Sequence, residues 1–338
     1  MTPQQSAGHG HIAVVILNYN GLAFLKKFLP NVIAFSPEAK IVVADNGSTD
    51  ASLDYLSKNF PSVQIIDNKK NLGFCGGYNE SLKEVDADYF VLLNNDVDVT
   101  KDWLAPMKEL LDKNPKIAAV QPKILSYNHK DLFEYAGAAG GFIDILGYPF
   151  CRGRIFETVE QDKGQYNDII PVFWATGACL MIRARLFREL GGFDEDFFAH
   201  MEEIDLCWRL KRGGNDIFYC GSSTVFHVGG GTLAAANPRK TYFNFRNGLD
   251  MLIKHQPGSQ LLWKLPLRLM LDWLAAVKFL FGTPSHTWAV IKAHFYVLSH
   301  LRNILRKRKK LKYLDFNVSE VFPGIMIWRY FVQGRKTY

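Results

Sequence analysis

The chain has no CxxC pair, no uninterrupted apolar run of membrane-spanning length and no internal repeat, and each absence removes a class of protein. Its five cysteines, Cys75, Cys151, Cys179, Cys207 and Cys220, are odd in number and scattered. Neither a disulfide framework nor a structural zinc site is indicated, and they read as small buried hydrophobes of a reducing compartment. A spanning helix needs roughly 20 mostly apolar residues. The leucine-rich C-terminal part does not supply them, because Lys264, Arg268, Asp272 and Lys278 interrupt it. Met1 to Gly10 has neither a basic start nor an apolar stretch, so no secretory signal is expected and a cytoplasmic location is. The glycine-rich stretch Asn71 to Asn79 lacks the Lys-Ser/Thr ending of a P-loop, and its spacing does not fit the dinucleotide fingerprint.

What is present begins with size and charge. With 338 residues and 48% hydrophobic content, the chain can bury a substantial core. Its net charge of +7 favours an anionic partner without choosing among nucleotide, nucleic acid and acidic lipid. No nucleic-acid recognition motif accompanies the basic cluster Arg306 to Lys310, so nucleic acid is not an expected partner.

The first half alternates short apolar runs with helical patterns, the signature of strands and crossover helices around a mostly parallel sheet. Strands are expected at Ile12 to Leu17, Ile41 to Ala44, Val63 to Ile66 and Tyr89 to Leu93, with helices at Leu22 to Ala34, Ala51 to Asn59 and Gly76 to Val85. From Ile124 to Asp168 irregular loops and short strands are expected. Val172 to Arg183 reads as a strand, Glu202 to Arg212 as a helix ended by Gly213 and Gly214, and Thr224 to His227 as a short strand.

In such sheets ligands bind outside the carboxyl ends of the strands. Asn18-Tyr19-Asn20-Gly21, Asp45 to Asp50 and Asn94 to Asp98 all follow strands there. Asp45 can accept hydrogen bonds from a base or ribose, whereas Thr49 and Asp50 read as helix caps. Asp96 and His227, at two strand ends, suit a divalent cation, Mg²⁺ or Mn²⁺, that would neutralise a departing diphosphate. The glycine-rich turn with Gly73 and Asn79 brings backbone N–H groups toward phosphate. Glu202, Glu203 and Asp205 open a helix, where acids favour the macrodipole; a desolvated glutamate there is also a candidate general base.

Taken in order, LNYNG, VADNGSTD, NLGFCGGYN, LLNNDVD, ATGACLMIR, FFAHMEEIDLCWRL and VFHVGGG resemble family 2 glycosyltransferases of the GT-A fold, the bacterial rhamnosyltransferase-like members above all, over about residues 11 to 250. The resemblance implies inverting transfer from a nucleotide diphosphate sugar to an acceptor hydroxyl, on a glycan or lipid-linked acceptor, in cell-surface polysaccharide synthesis. It implies donor binding by Asn18, Tyr19, Asp45, Gly73, Asn79, Asn94 and Asn95, and metal binding by Asp96 and His227. Asn94 stands where the family's DXD motif has its first aspartate. The family's Glu-Asp base motif falls on Glu202-Glu203, with Glu202 favoured by position. Trp174, Thr176 and Gly177 are expected on the acceptor side, and Arg209 is expected to pair with nearby acids. Sugar nucleotidyltransfer and noncatalytic nucleotide or glycan binding are the competing readings.

The expected fold is thus α/β, a GT-A type sheet flanked by helices. It divides into an N-terminal tail (1–10), a catalytic domain (11–255) and a C-terminal helical region (256–338). In that last region Leu262, Leu265, Leu269, Trp273, Ala276 and Leu280 recur at helical spacing with basic residues between them. The pattern predicts amphipathic helices that either pack on the catalytic domain or make peripheral contact with the inner face of the cell membrane.

Overall fold

A computed structural model describes residues 10–229, 237–311 and 320–338. The expected tail 1–10, apart from Gly10, and Gly230 and Gly231 of the run after His227 lie outside the described residues.

The elements begin as the alternating pattern predicts: β1 (Ile12–Asn18), α1 (Leu22–Ala34), β2 (Ala39–Asp45), α2 (Ser52–Asn59), β3 (Gln64–Asp67), α3 (Gly73–Ser81) and β4 (Tyr89–Asn94). β4, β1, β2 and β3 lie side by side and parallel. Both faces of this sheet are covered, which is why its strands read as near-continuous apolar runs. In β1, Ala13 and Val15 enter one core while Val14 and Ile16 enter the other; β4 divides likewise between Phe90 and Leu92, and Val91 and Leu93. With both faces committed to packing, the strand ends are left for function. α3 starts earlier than the expected Gly76 because Asn71 Oδ1 accepts the N–H of Gly73 at 2.9 Å and turns the chain into the helix there.

Next come β5 (Val97–Val99), α4 (Leu104–Lys113) and β6 (Ile117–Ser126), then the short strands β7 (Gly141–Asp144), β8 (Pro149–Cys151), β9 (Arg154–Ile155) and β10 (Thr158–Val159). After these follow β11 (Ile169–Pro171), β12 (Cys179–Arg183), α5 (Ala184–Glu189), α6 (Glu202–Arg212) and β13 (Asp216–His227). The main sheet runs β11-β13-β6-β12-β4-β1-β2-β3, with β5 against the end of β13. Val172 to Arg183 is therefore not one strand. Only Cys179–Arg183 pairs with β4, and residues 172–178 form a buried loop. Their backbone groups are engaged elsewhere: Phe173 and Trp174 both donate to Gly141 O, and Thr176 N–H donates to Gln121 Oε1 at 3.0 Å. The expected strand Thr224 to His227 is the end of the longer β13, which an irregularity between Cys220 and Thr224 bends.

The C-terminal part contributes α7 (Pro238–His255), α8 (Gly258–Leu280) and α9 (Pro284–Lys310), then β14 (Val321–Phe322), which pairs with β7, and α10 (Met326–Phe331). Asn237 caps α7 by accepting Arg239 N–H at 2.9 Å, with Pro238 in the first turn where its missing N–H costs nothing. The predicted apolar stripe of α8 is only partly its buried face: Leu265 and Leu269 pack on a small core with Leu249, Ile253, Val297 and Ile304. Lys264, Arg268, Asp272 and Ala276, each one turn after the last, face inward, while Leu262, Trp273 and Leu280 face out. Among the described residues no helix is long and apolar enough to cross a membrane.

Candidate active site

Parallel register brings the nucleotide-side residues together. Asn18 lies opposite Asp45 across β1 and β2, and β4 sets Asn94 opposite Leu17. Asp45 is fully buried; its Oδ2 accepts Asn18 Nδ2 at 3.1 Å and its Oδ1 accepts Ser48 N–H at 2.8 Å. Asn18 Oδ1 in turn accepts Asn95 Nδ2 at 2.9 Å, so Asn18, Asp45 and Asn95 form one network, with Tyr19 exposed at its rim. Asp50 caps two helices, accepting Leu22 N–H at 3.1 Å and Ser52 N–H at 3.0 Å.

A second cluster follows from the antiparallel pairing of β5 with the end of β13. His227 sits opposite Val97, and Val228 N–H donates to Asp96 O at 3.0 Å. This register places His227 Nε2 3.1 Å from Asp96 Oδ1 and 3.5 Å from the Asn94 amide. Sequence reasoning missed the residue on the other side of the ring: Glu134 Oε2 lies 3.2 Å from His227 Nδ1. Gly229, at φ +70°, closes over that carboxylate, and a Cβ there would come within 2.6 Å of Glu134 Oε1. Burial by itself lowers the His227 pKa, but Asp96 and Glu134 outweigh it and push it up to about 10. Two carboxylates around one imidazole favour a positive charge between them, either the ring's own proton or, at Nε2 and Asp96, a divalent cation that would displace it.

The third cluster is the start of α6. Asp205 is structural: fully buried, it meets Arg209 Nε at 2.8 Å, and Lys254 Nζ and His255 Nε2 each at 2.7 Å. Burial opposes its ionisation, yet the cations hold its carboxyl well below the usual range. Arg209 pairs as expected. Glu202 and Glu203 receive no such partner. Burial, with the charge of Glu203 adding to it, raises Glu202 well above the ordinary carboxyl value. Burial raises Glu203 to about 7, against backbone N–H groups that include Gly177. One buried carboxylate oxygen on each has no hydrogen-bond partner among the described residues. The loop that supplies Gly177 also borders the cation cluster, since Ala178 O accepts the N–H of Asn94 at 3.0 Å.

Three expected site residues do other work. Trp174 is buried, donates Nε1–H to Phe142 O at 2.9 Å and fills the space over Gly141, so it belongs to the core. Thr176 Oγ1 donates to Ala136 O at 2.8 Å and accepts Ala178 N–H at 3.2 Å, which shapes the loop behind Gly177. Asn79 binds the Phe193 backbone in both directions, at 2.9 and 2.8 Å, and pins that segment rather than facing the cleft. Gly73, at φ +71°, lies under Phe198, where a Cβ would approach the ring to 2.8 Å. Just after it in space, Phe198, His200 and Met201 all adopt positive φ, at 61°, 68° and 69°. Such strain, of order 1–3 kcal/mol per residue, concentrates at functional sites.

The chain is 25% identical, over 89% of its length and 97% of the relative's, to the N-acetylglucosaminyl-diphospho-decaprenol L-rhamnosyltransferase of Mycobacterium tuberculosis. It is 25% identical to the rhamnosyltransferase WbbL of Escherichia coli, over 64% of this chain and 83% of that one. Among solved structures, a Pyrobaculum calidifontis mannosyltransferase in complex with GDP-Man and Mn²⁺ shares the fold, with TM-score 0.51 and 13% identity over 90% of this chain and 86% of that one. The family described as Glycosyl transferase family 2 matches residues 13–191, and the chain belongs to it.

Proposed function

We propose that the chain transfers an L-rhamnosyl group from a nucleoside diphosphate donor to a hydroxyl of a lipid-linked glycan, with inversion at the anomeric carbon. Glycosyl transfer from a nucleotide sugar in glycan synthesis follows from family membership, which does not favour nucleotidyltransfer or noncatalytic binding. The rhamnosyl donor and lipid-linked acceptor are taken from the names of the two relatives. The observation that supports the reaction class is the backbone link from Asn94 to Ala178, next to the Gly177 that meets Glu203, which connects the segments carrying the two pairs.

In this reading Asn18, Tyr19 and Asp45 hold the nucleoside, and Asn94, Asn95 and the Gly73 turn border the diphosphate. Asp96 and His227 fit a divalent cation: both are buried, and they offer a carboxylate oxygen and an imidazole nitrogen 3.1 Å apart. Among the described residues no group of three His, Cys, Asp or Glu forms a complete cage. Asp96 and His227 would hold Mg²⁺ or Mn²⁺ as two protein ligands, the number such ions commonly take beside substrate phosphates. When bound, such an ion neutralises the charge that develops on the leaving diphosphate.

The acceptor proton goes to Glu203. Its oxygen then forms the bond to the anomeric carbon while the bond to the diphosphate breaks, the electron pair leaving with the nucleotide. Position in the motif favours Glu202, but the physical argument favours Glu203. A pair of interacting carboxyls shares its last proton, and the more deeply buried Glu202, raised further, keeps it.

The outward face of the α8–α9 hairpin is assigned to the membrane. Trp263, Trp273, Leu274, Trp288, Phe295 and Leu298 are exposed there, and Arg302, Arg306, Lys309 and Lys310 extend α9 beyond them. Residues 258–311 carry ten Lys and Arg against the single Asp272, a net +9. That charge fits an anionic lipid surface and opposes a second copy of the same face.

The test is turnover of purified protein against a panel of nucleotide sugars with polyprenyl-diphosphate-linked sugar acceptors. Transfer from a nucleoside diphosphate rhamnose is the expected result. Transfer only from other donors, or only to soluble glycans, would overturn the substrate assignment while leaving the reaction class.

A further inference from the structure

The turn between Asp194 and α6 is held by two neighbouring residues of α7 that the functional reading leaves unused. Asn247 is buried, and its Nδ2 donates toward three backbone carbonyls in succession: Phe197 O at 3.2 Å, Ala199 O at 2.9 Å and His200 O at 2.6 Å. Arg246, also buried, donates to Asp196 O at 2.8 Å and Phe197 O at 2.6 Å. Its Nε donates to Asn247 Oδ1 at 2.6 Å, which orients the amide so that its NH₂ faces the carbonyls. The carbonyls so held lie in the one segment where three non-glycine residues, Phe198, His200 and Met201, take positive φ. Backbone in that region persists only where the surroundings over-determine it, and Arg246 and Asn247 are those surroundings.

The same turn touches both halves of the site. Phe198 O accepts Phe74 N–H at 3.1 Å at the start of α3, and Phe198 stacks on Phe243 of α7, with ring centroids 5.8 Å apart. On the far side Asp196 receives Asn303 at 2.6 Å and Lys307 at 2.5 Å from α9. Immediately after the turn stand Glu202 and Glu203.

We propose that Arg246 and Asn247 are positioning residues for acceptor activation, holding the strained Phe197–Met201 turn so that the Glu202–Glu203 pair opens its helix against Gly177. This rests on the reading of that pair as the general base. A turn held by side-chain donors, rather than by glycines that tolerate it freely, returns to ordinary backbone when the donors are lost. The first turn of α6 then moves and water reaches the carboxylates. The groups around the pair are Cys75 of α3, Cys151 of β8, Cys207 and Asp205 of α6, and Asp194. None of these is a cation, and the nearby cations, Arg209 and Lys254, are spent on Asp205 and Asp194, so exclusion of water is what raises the pair, Glu202 more than Glu203.

The experiment compares Asn247→Ala and Asn247→Asp in the full chain, the second keeping shape while turning an acceptor toward three acceptors. The expected result is a fall in kcat of about 10²-fold, the scale of an ångström misplacement, with donor KM within threefold of wild type. The acid limb of the kcat profile should move to lower pH by a unit or more. In a Glu203→Gln background, Asn247→Asp should cost nothing further, because the effect acts through the base. If the alanine variant does not fold, the aspartate variant decides. Normal kcat, an unmoved acid limb, or an equal loss with and without Glu203 would each overturn the proposal. Full activity and an unchanged acid limb in both Glu202→Gln and Glu203→Gln would instead overturn the reading of the base, an outcome visible without any change at Asn247.

Discussion

The α/β body and helix α8 differ in what they bury most deeply. In β1 and β4 the apolar side chains go inward on both faces, and polar groups gather only where the strands end. In α8 the deepest line is Lys264, Arg268, Asp272 and Ala276, flanked by half-buried Leu261, Leu265 and Leu269, while Leu262, Trp273, Leu274 and Leu280 face out. Charge divides the same way: residues 258–311 hold +9 against +7 for the whole chain, leaving the remainder at −2. The body thus keeps its charge near balance, whereas the hairpin carries exposed apolar side chains and a large positive charge, the combination on which the proposed membrane contact rests. A polar interior to a helix is possible only if every group is satisfied, and these are. Arg268 Nε meets Asp272 Oδ1 at 3.1 Å and its guanidinium lies 3.6 Å over the Tyr148 ring, while Lys264 Nζ reaches Gln256 at 2.9 Å and Gln260 at 2.7 Å.

The sharpest break lies in the body, at the glutamate pair. Glu203→Gln keeps shape and removes basicity, so turnover should fall roughly 10²- to 10⁴-fold with donor binding little changed. Because the base acts ionised, wild-type kcat should rise with pH through about 7 and level off above it. Stability has the opposite sign. A carboxyl whose folded pKa is raised binds its proton more tightly in the native state, so its contribution is present at low pH and is lost as pH rises from the unfolded value through about 7. Glu203→Gln should therefore unfold at higher temperature than wild type above neutral pH, in a thermal scan at pH 8. A variant that is both fully active and no more stable would remove Glu203 from the mechanism.

At the other cluster, Asp96→Ala should lower turnover by orders of magnitude, since losing the group that holds a Lewis acid forfeits several kcal/mol of charge stabilisation. Chelation with EDTA should act similarly on wild type, and added Mn²⁺ should restore it. Calorimetric titration of Mn²⁺ in the presence of nucleoside diphosphate should show heat for wild type and none for Asp96→Ala. Full turnover in EDTA would separate Asp96 and His227 from any cation.

What the sequence disclosed follows the same division. The parallel strands were readable because burial on both faces writes continuous apolar runs, and their ends were readable because turn-forming Asn, Asp and Gly cluster there. That placed Asn18, Asp45, Asp96, His227 and the glutamate pair correctly at strand and helix ends. That Trp174, Thr176 and Asn79 spend side-chain hydrogen bonds on backbone groups distant in sequence, at Phe142, Ala136 and Phe193, no local pattern discloses. Glu134 and Asn247 were invisible for the same reason: one meets His227 across β6 and β13, the other bonds to carbonyls about 50 residues earlier. In α8 helical period was evident but its sense was not. Periodicity states that a helix has two faces; which of them is buried depends on what lies opposite, and here Tyr148 and His294 stand opposite a charged line.

That inverted line gives the next test. Asp272 accepts from Arg268, from Tyr148 OH at 3.1 Å and from His294 Nε2 at 3.4 Å, and is itself buried. Asp272→Ala strands the Arg268 guanidinium without its carboxylate, a loss of about 3–5 kcal/mol for a broken buried pair. Chemical denaturation followed by tryptophan fluorescence should show the hairpin, which holds Trp263, Trp273 and Trp288, losing structure first. A midpoint equal to wild type would mean that the polar spine does not hold the hairpin to the body.

The smallest effect on stability is expected two residues further along α8, on the outer face. Leu274 is 59% exposed, and in water Leu274→Glu removes no packing, so the folded chain should change by no more than about 0.5 kcal/mol. At a lipid surface the same substitution removes apolar burial and adds repulsion. Each basic residue near an anionic leaflet contributes about 1 kcal/mol, so wild type should float with liposomes rich in anionic lipid and detach as salt is raised. Leu274→Glu with Trp273→Glu should stay in the soluble fraction at low salt. Its kcat on a short, soluble analogue of the acceptor should match wild type, because neither residue touches the site. If the double variant floats as well as wild type, the outward face does not meet lipid. If it remains soluble but is also inactive on the soluble acceptor, the face serves the body's fold rather than a membrane, and the contrast between the two regions loses its functional meaning.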